Sequence, residues 1–226
     1  MIASILMLVA AATAEPKTAQ DVLEATAHAY AGCATYHDSG KITVAFEGES
    51  GSIATTTSFT TEFVRPDRFR FECAGSSLKG SPFHFIVWRD GHGTHHWSSR
   101  VPGVRSDVTF EAGVESAATP SVSNGASAMI PSLLLSGEVE SWGLAKMESM
   151  SLGAEAAFGH ECFKVSGKFA TNERTLWIDK KSLLIRRVEE LIVSETTRTR
   201  RTVDFEPAFN EKIDDAKLAP GVPEAK

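Results

Sequence analysis

The stretch that decides the fold is TEFVRPDRFRFEC, residues 61–73. It reads as two alternating runs broken by Arg65, Pro66 and Asp67. Side chains alternate across a strand, so Phe63 and Arg65 share one face of the first run. In the second run Phe69, Phe71 and Cys73 share one face, and Arg68, Arg70 and Glu72 share the other. The pattern predicts two strands with one apolar face each, joined by a turn at the proline. It also sets an arginine on the apolar side. A guanidinium facing an apolar hollow must find acceptors there, because leaving it unpaired is costly.

The same period of two recurs outward along the chain. Residues 41–47 alternate, with Ile42, Val44 and Phe46 on one face; residues 48–51 form a hairpin turn, and 53–63 a long Thr-rich strand. Further strands are expected over 83–88, 94–98, 146–152, 161–167, 174–179, 182–194 and 196–205. The last of these is polar on both faces, which predicts an edge strand or a solvated rim. Helical spacing occurs in two places. Thr18 can cap a helix that carries Val22, Thr26, Tyr30 and Cys33 and stops near Gly32. Two shorter helices fit 110–118 and 124–135, and the second carries Ala128, Met129, Ile130, Leu133, Leu134 and Leu135, which must be buried against something. The tail from Asn210 onward, rich in Pro and Lys, is expected to be loose. The fold class is α+β: an incomplete, curved antiparallel β-barrel of roughly nine or ten strands, with an N-terminal helix and a helical lid insertion.

With 226 residues, 42% hydrophobic and 23% charged, the chain has a globular rather than a disordered composition. A net charge of −6 argues against non-specific nucleic-acid binding, which needs clustered Lys and Arg. The apolar run over residues 2–12 ends at Ala12, Thr13 and Ala14, a small-x-small cleavage pattern. Residues 1–14 are therefore expected to be a signal peptide and 15–226 one exported, soluble domain. No basic residue precedes the run, and the alternative is a buried N-terminal helix, since the run is too short to span a bilayer. The three cysteines allow at most one internal bridge. Cys33 ends the first helix and Cys73 ends a strand on its apolar face, which makes them the candidate pair. Their spacings match no zinc motif.

Catalytic patterns are sparse. His84, His92, His95 and His96 cluster, but His95 and His96 are adjacent and point to opposite faces of a strand, so no metal site is assigned. Ser76 and Lys79 have the serine–lysine spacing of penicillin-recognising enzymes, yet they lie between strands rather than opening a helix. Glu189 and Glu190 fall on opposite faces and read as solvated partners of Arg186 and Arg187. No catalytic residue, metal or cofactor is assigned, and the protein is expected not to be an enzyme. What remains is aromatic. Phe59, Phe63, Phe69, Phe71 and Trp88 are candidate lining of an apolar ligand cavity, faced by Met129, Ile130, Leu133 and Leu134 of the lid. The alternative is that these residues are simply core.

Four segments in order carry a resemblance: FVRPDRFRFE (63–72), VWRDGHGTHHW (87–97), IPSLLLSG (130–137) and TLWIDKKSLLIRRVE (175–189). Over about residues 18–220 the chain resembles the lipoprotein-sorting family of the periplasmic carrier LolA, the outer-membrane receptor LolB and their exported relatives. The resemblance implies a half-barrel that takes lipoprotein acyl chains or another lipid under a helical lid. It implies a periplasmic monomer in outer-membrane biogenesis, touching membranes transiently and exchanging cargo with envelope proteins. In the carrier, the arginine just before the proline reaches across the hollow and hydrogen-bonds to the lid helices. Arg65 stands at the matching position and is the candidate lid latch. The chain departs from the family in its short tail and in lacking the receptor's N-terminal cysteine. The alternative is an envelope interaction or sensor module that shares the fold but has a filled core.

Overall fold

A computed structural model describes residues 16–49, 51–77, 80–107, 109–118, 126–139 and 143–223. The expected signal peptide and Lys79 of the serine–lysine pair lie outside the described residues. Helix α1, Ala19–Gly32, begins at Thr18 because a capping box closes there. The Thr18 hydroxyl accepts from the Asp21 amide at 3.1 Å, and the Asp21 carboxylate accepts from the Thr18 amide at 2.9 Å. Its buried stripe is Val22, Leu23, Thr26 and Tyr30.

A first meander follows: β1 Thr35–Gly48, β2 Gly51–Val64, β3 Arg68–Ser76, β4 Pro82–Asp90, β5 Gly93–Ser98 and β6 Val101–Asp107. Helices α2 Phe110–Ala117 and α3 Ala126–Leu134 come next, then a 3-10 turn at Leu144–Lys146. A second meander comprises β7 Met147–Ala157, β8 His160–Phe169, β9 Asn172–Asp179, β10 Ile185–Val193 and β11 Thr197–Phe205, and the chain ends in β12 Ala208–Phe209 and α4 Asp215–Leu218. Among the described residues, twelve strands form one antiparallel sheet in the order β6-β5-β4-β3-β2-β1-β11-β10-β9-β8-β7, with β12 paired to β1. The sheet does not close: β6 and β7 are its edges. Residues of α1, α2 and α3 join the inward side chains of the strands in one buried cluster, so the helices fill the concave side. This is the α+β, incomplete antiparallel barrel with an N-terminal helix and a helical insertion that the sequence predicts.

The two meanders meet where β1 pairs with β11, from Gly40 opposite Phe205 to Gly48 opposite Thr197. Gly40 is needed there, since a Cβ would lie 2.2 Å from the Asp204 carbonyl oxygen and 2.4 Å from the Phe59 ring. The junction corrects one expectation. β11 is central, not an edge, because it pairs with β1 on one side and β10 on the other, although Thr197, Arg198 and Arg200 in its first half are exposed, as a solvated rim would be. Arg200 meets Glu189 at 2.5 Å and Asp204 meets Arg187 at 2.5 Å on the outer face. Val203 and Phe205 point inward to the core.

The tail, expected to be loose, is held as far as Pro220. Arg68 holds Asp215 of α4 at 2.8 Å, Lys217 approaches Glu62 at 3.6 Å, Leu218 is buried, and Arg70 donates to the Pro220 carbonyl at 3.5 Å. The expected bridge between Cys33 and Cys73 is not formed; all three cysteines are buried and free. The Cys33 thiol turns back to the Tyr30 carbonyl at 3.1 Å, whereas Cys73 sits inside the sheet between Phe59 and Phe85. Burial pushes the Cys73 thiol far above its ordinary range.

Candidate ligand-binding face

Arg65 leaves the end of β2 through a cis Arg65–Pro66 bond. Its amide donates to the Ala34 carbonyl at 2.9 Å, which fixes the base of the side chain against the start of β1. The guanidinium packs over the Phe63 ring, 5.2 Å from its centroid. Nε donates to the Cys33 carbonyl at 2.8 Å, and Nη2 donates to the carbonyls of Tyr30 at 3.3 Å and Leu134 at 3.1 Å. Tyr30 and Cys33 lie at the carboxy-terminal end of α1, and Leu134 is the last residue of α3. Carbonyls at helix ends lack intrahelical donors and carry partial negative charge, so a cation fits both. One side chain thereby ties the sheet to α1 and α3.

Helix α3 has no charged side chain in its sequence ASAMIPSLL and contains Pro131. Met129, Ile130, Leu133 and Leu134 are buried in the same cluster as Phe59, Phe63, Phe69 and Phe71 of the sheet. Phe59 stacks on Phe71 at 5.8 Å and meets the edge of Phe205 at 5.5 Å. Phe69 meets Phe110 of α2 edge-on at 5.1 Å. Eight of the nine predicted lining residues are thus brought together. Trp88 is not. On β4 it alternates with Phe85 and Val87, lies outside that cluster and packs 5.4 Å from His95 on the other side of the sheet. Of the remaining histidines, His96 faces inward, 5.5 Å from the Phe85 ring and 2.7 Å from Asp107. Among the described residues no group of three or more His, Cys, Asp or Glu could hold a metal ion.

A second tie runs from the sheet to the segment after α3. Arg89 Nη1 meets Glu138 Oε2 at 2.5 Å, and its guanidinium lies 5.4 Å from the Phe110 ring. Both line an open groove of about 500 Å³ with Thr94, Asp107 and Glu111.

Two polar groups on the concave side were not foreseen. Asp38 of β1 is buried and receives the Tyr36 hydroxyl, and burial raises its carboxyl to about 6. The Tyr30 hydroxyl beside it accepts from the Ile185 amide at 3.2 Å. The other group is ionic. Arg174 of β9, Glu190 of β10 and Arg201 of β11 are neighbours in register. Arg174 donates to Glu190 Oε1 from Nε at 2.9 Å and from Nη2 at 2.5 Å, and Arg201 Nη1 donates to Oε2 at 2.8 Å. The Arg174 side chain is 0% exposed and that of Glu190 is 5% exposed. The Arg174 guanidinium also lies 3.5 Å from the Phe169 ring centroid. This corrects the reading of Glu190 as a solvated partner of Arg186 or Arg187. Arg186 pairs with Asp179 and Arg187 with Asp204. The available signal was phase: Arg174, Glu190 and Arg201 alternate in step with the inward Leu176, Val188 and Val203.

No family model matches the chain, and no curated protein matches it. Three of the solved structures to which it is similar illustrate the likeness. One is a DUF1329 family protein from Desulfovibrio piger, with 10% identity, TM-score 0.37 and coverage of 89% of this chain and 95% of that one. Another is a putative outer membrane lipoprotein-sorting protein domain from Vibrio parahaemolyticus, with 10% identity, TM-score 0.38 and coverage of 88% and 97%. The third is a LolA superfamily protein from Nitrosomonas europaea, with 8% identity, TM-score 0.34 and coverage of 90% and 98%. Among the described residues no helix is long and apolar enough to cross a membrane.

Proposed function

We propose that this protein is a non-enzymatic periplasmic carrier that holds lipoprotein acyl chains, or another lipid, against the concave face of its sheet, with α3 as a movable lid. The observation that carries this reading is Arg65, which joins the sheet to α1 and α3 through helix-end carbonyls alone. Such a contact opens without stranding a buried carboxylate. Lifting α3 exposes Met129, Ile130, Leu133 and Leu134, at roughly 1.5–3 kcal/mol for each large side chain. An entering chain of ~14 methylenes, at ~0.8 kcal/mol each, offsets that cost. Loading and closure therefore compete for one apolar surface. Arg65 stabilises only the empty, closed form.

The test is direct. Purified protein is extracted with organic solvent and the extract read by mass spectrometry, beside uptake of a fluorescent fatty acid that competitors displace. Co-purifying lipid or saturable uptake is expected, and Arg65→Leu is expected to release the probe more slowly while staying folded. A second reading, an interaction module with a filled core, is favoured by the full burial of Phe63, Phe69 and Phe71. Repeated recovery of an empty chain that takes up no probe selects it over the carrier.

A further inference from the structure

We infer that the ligand is an anionic amphiphile and that Arg174, Glu190 and Arg201 form the site for its head group. The inference rests on the carrier reading above and deepens it. The three residues stand on the concave face, in phase with apolar neighbours on all three strands. Two guanidiniums share one carboxylate there. Arg174 keeps Nη1 buried with no hydrogen-bond acceptor, although its other two donors are used. A buried donor on a cation gains most from an oxygen anion, and guanidinium matches carboxylate and phosphate geometry.

Position supports the same assignment. Thr35, beside the latch, and Val44, opposite Arg201, are nine residues apart on β1. At ~3.3 Å per residue this puts the triad about 30 Å along the strand from Arg65. The stretch between them presents Ile42, Phe59, Val203 and Phe205 nearest the triad, and the buried Asp38 and Thr61 nearer the latch. An acyl chain lying there would point its head at the triad and its tail at the latch. The Phe169 ring covers Arg174, its centroid 3.5 Å from the guanidinium, and methionines lie close by. Gly167 of β8 pairs with Arg174, and a Cβ on it would meet the Glu148 carbonyl oxygen at 2.7 Å, Met150 Cγ at 3.1 Å and Met147 Cε at 3.4 Å. Unbranched thioether side chains rearrange at low cost when a head group enters. Burial also depresses the Arg174 guanidinium below its ordinary range, which a bound anion would reverse.

The experiment uses the full chain and a neutral environment-sensitive dye seated on the apolar face, displaced by hexadecanoic acid, by hexadecanol and by a single-chain lysophosphatidic acid. The acid is expected to bind at least about tenfold tighter than the alcohol, the worth of one charge-assisted hydrogen bond. The triple substitution Arg174→Met, Glu190→Leu, Arg201→Leu fills the site with apolar groups. It is expected to erase the preference and leave alcohol binding unchanged. Arg201→Gln, at the partly exposed end of the triad, is expected to reduce the preference and serves should the triple variant not fold. Tighter lysophosphatidic acid assigns a phosphate head and tighter hexadecanoic acid a carboxylate; either upholds the site. Equal binding of all three competitors, or a preference that survives the triple substitution, overturns the head-group site and leaves the carrier standing. Failure of every competitor, alcohol included, overturns both.

Discussion

Arg65 and Arg174 put guanidiniums into the same concave face, and their partners differ in kind. Arg65 donates only to main-chain carbonyls of two helices, and it is half-buried. Arg174 is fully buried and donates to a carboxylate on the next strand. The first arrangement can open, because each group it leaves behind is neutral. The second cannot, because separation leaves a charge in a low-dielectric interior. The contrast assigns motion to the end of the trough near α3 and permanence to the strands β9, β10 and β11.

The largest expected effect breaks the permanent end. Glu190→Leu leaves the buried Arg174 guanidinium and the partly exposed Arg201 guanidinium without their shared carboxylate and is expected to cost about 3–5 kcal/mol in urea unfolding. The apolar triple substitution should instead be neutral or stabilising, by up to about 4 kcal/mol. A large loss in both would show that the triad holds the fold by more than charge pairing.

Asp38 gives the next effect, as a buried carboxyl that receives the Tyr36 hydroxyl and lies beside Thr61 on the neighbouring strand. Its carboxyl titrates near 6 in the fold against 3.8 when free, so the folded state holds the proton more tightly. Stability therefore falls as pH rises from about 4 to about 6, by about 3 kcal/mol in all, and stays lower above that range. Asp38→Asn cannot ionise and is expected to remove this slope, read as unfolding midpoints across pH. An unchanged slope would place the titration elsewhere.

Arg65→Leu follows, with an expected loss of about 1–3 kcal/mol and faster amide exchange concentrated in α3. Uniform loss of protection across β9 and β10 as well would erase the distinction between the two ends. The smallest effect is expected from Arg89→Gln, which removes a partly exposed ion pair to Glu138 worth less than about 1 kcal/mol and screened by salt.

Much of this contrast was legible in the chain, and the illegible parts have physical causes. The capped first helix, the alternating phenylalanines, the apolar lid and the inward arginine at the proline turn are local patterns, and each emerges in the fold. Trp88 misled because β4 is apolar on both sides: Phe83, Phe85 and Val87 point inward, while Ile86 is buried on the other face under the same strand. Glu190 and the strand β11 misled because their partners are supplied by register, not by sequence distance. A charged residue satisfied by a neighbour on an adjacent strand has the same one-dimensional signature as one satisfied by water. The tail misled for the same reason, as its ion pairs to β2 and β3 span long separations. β6 escaped notice because Pro102 and Gly103 interrupt its alternation.

The unclosed sheet has a further consequence. Each of its two borders offers unpaired main-chain amides and carbonyls, an invitation to stack against a second copy and grow into fibres. On one border Pro102 withholds a donor near the start of the offered row. On the other, Ser149 turns to a φ of 52° and the pairing slips between Glu148 and Ser151. The irregularities sit where a straight ribbon would be hazardous, and they work against edge-to-edge stacking.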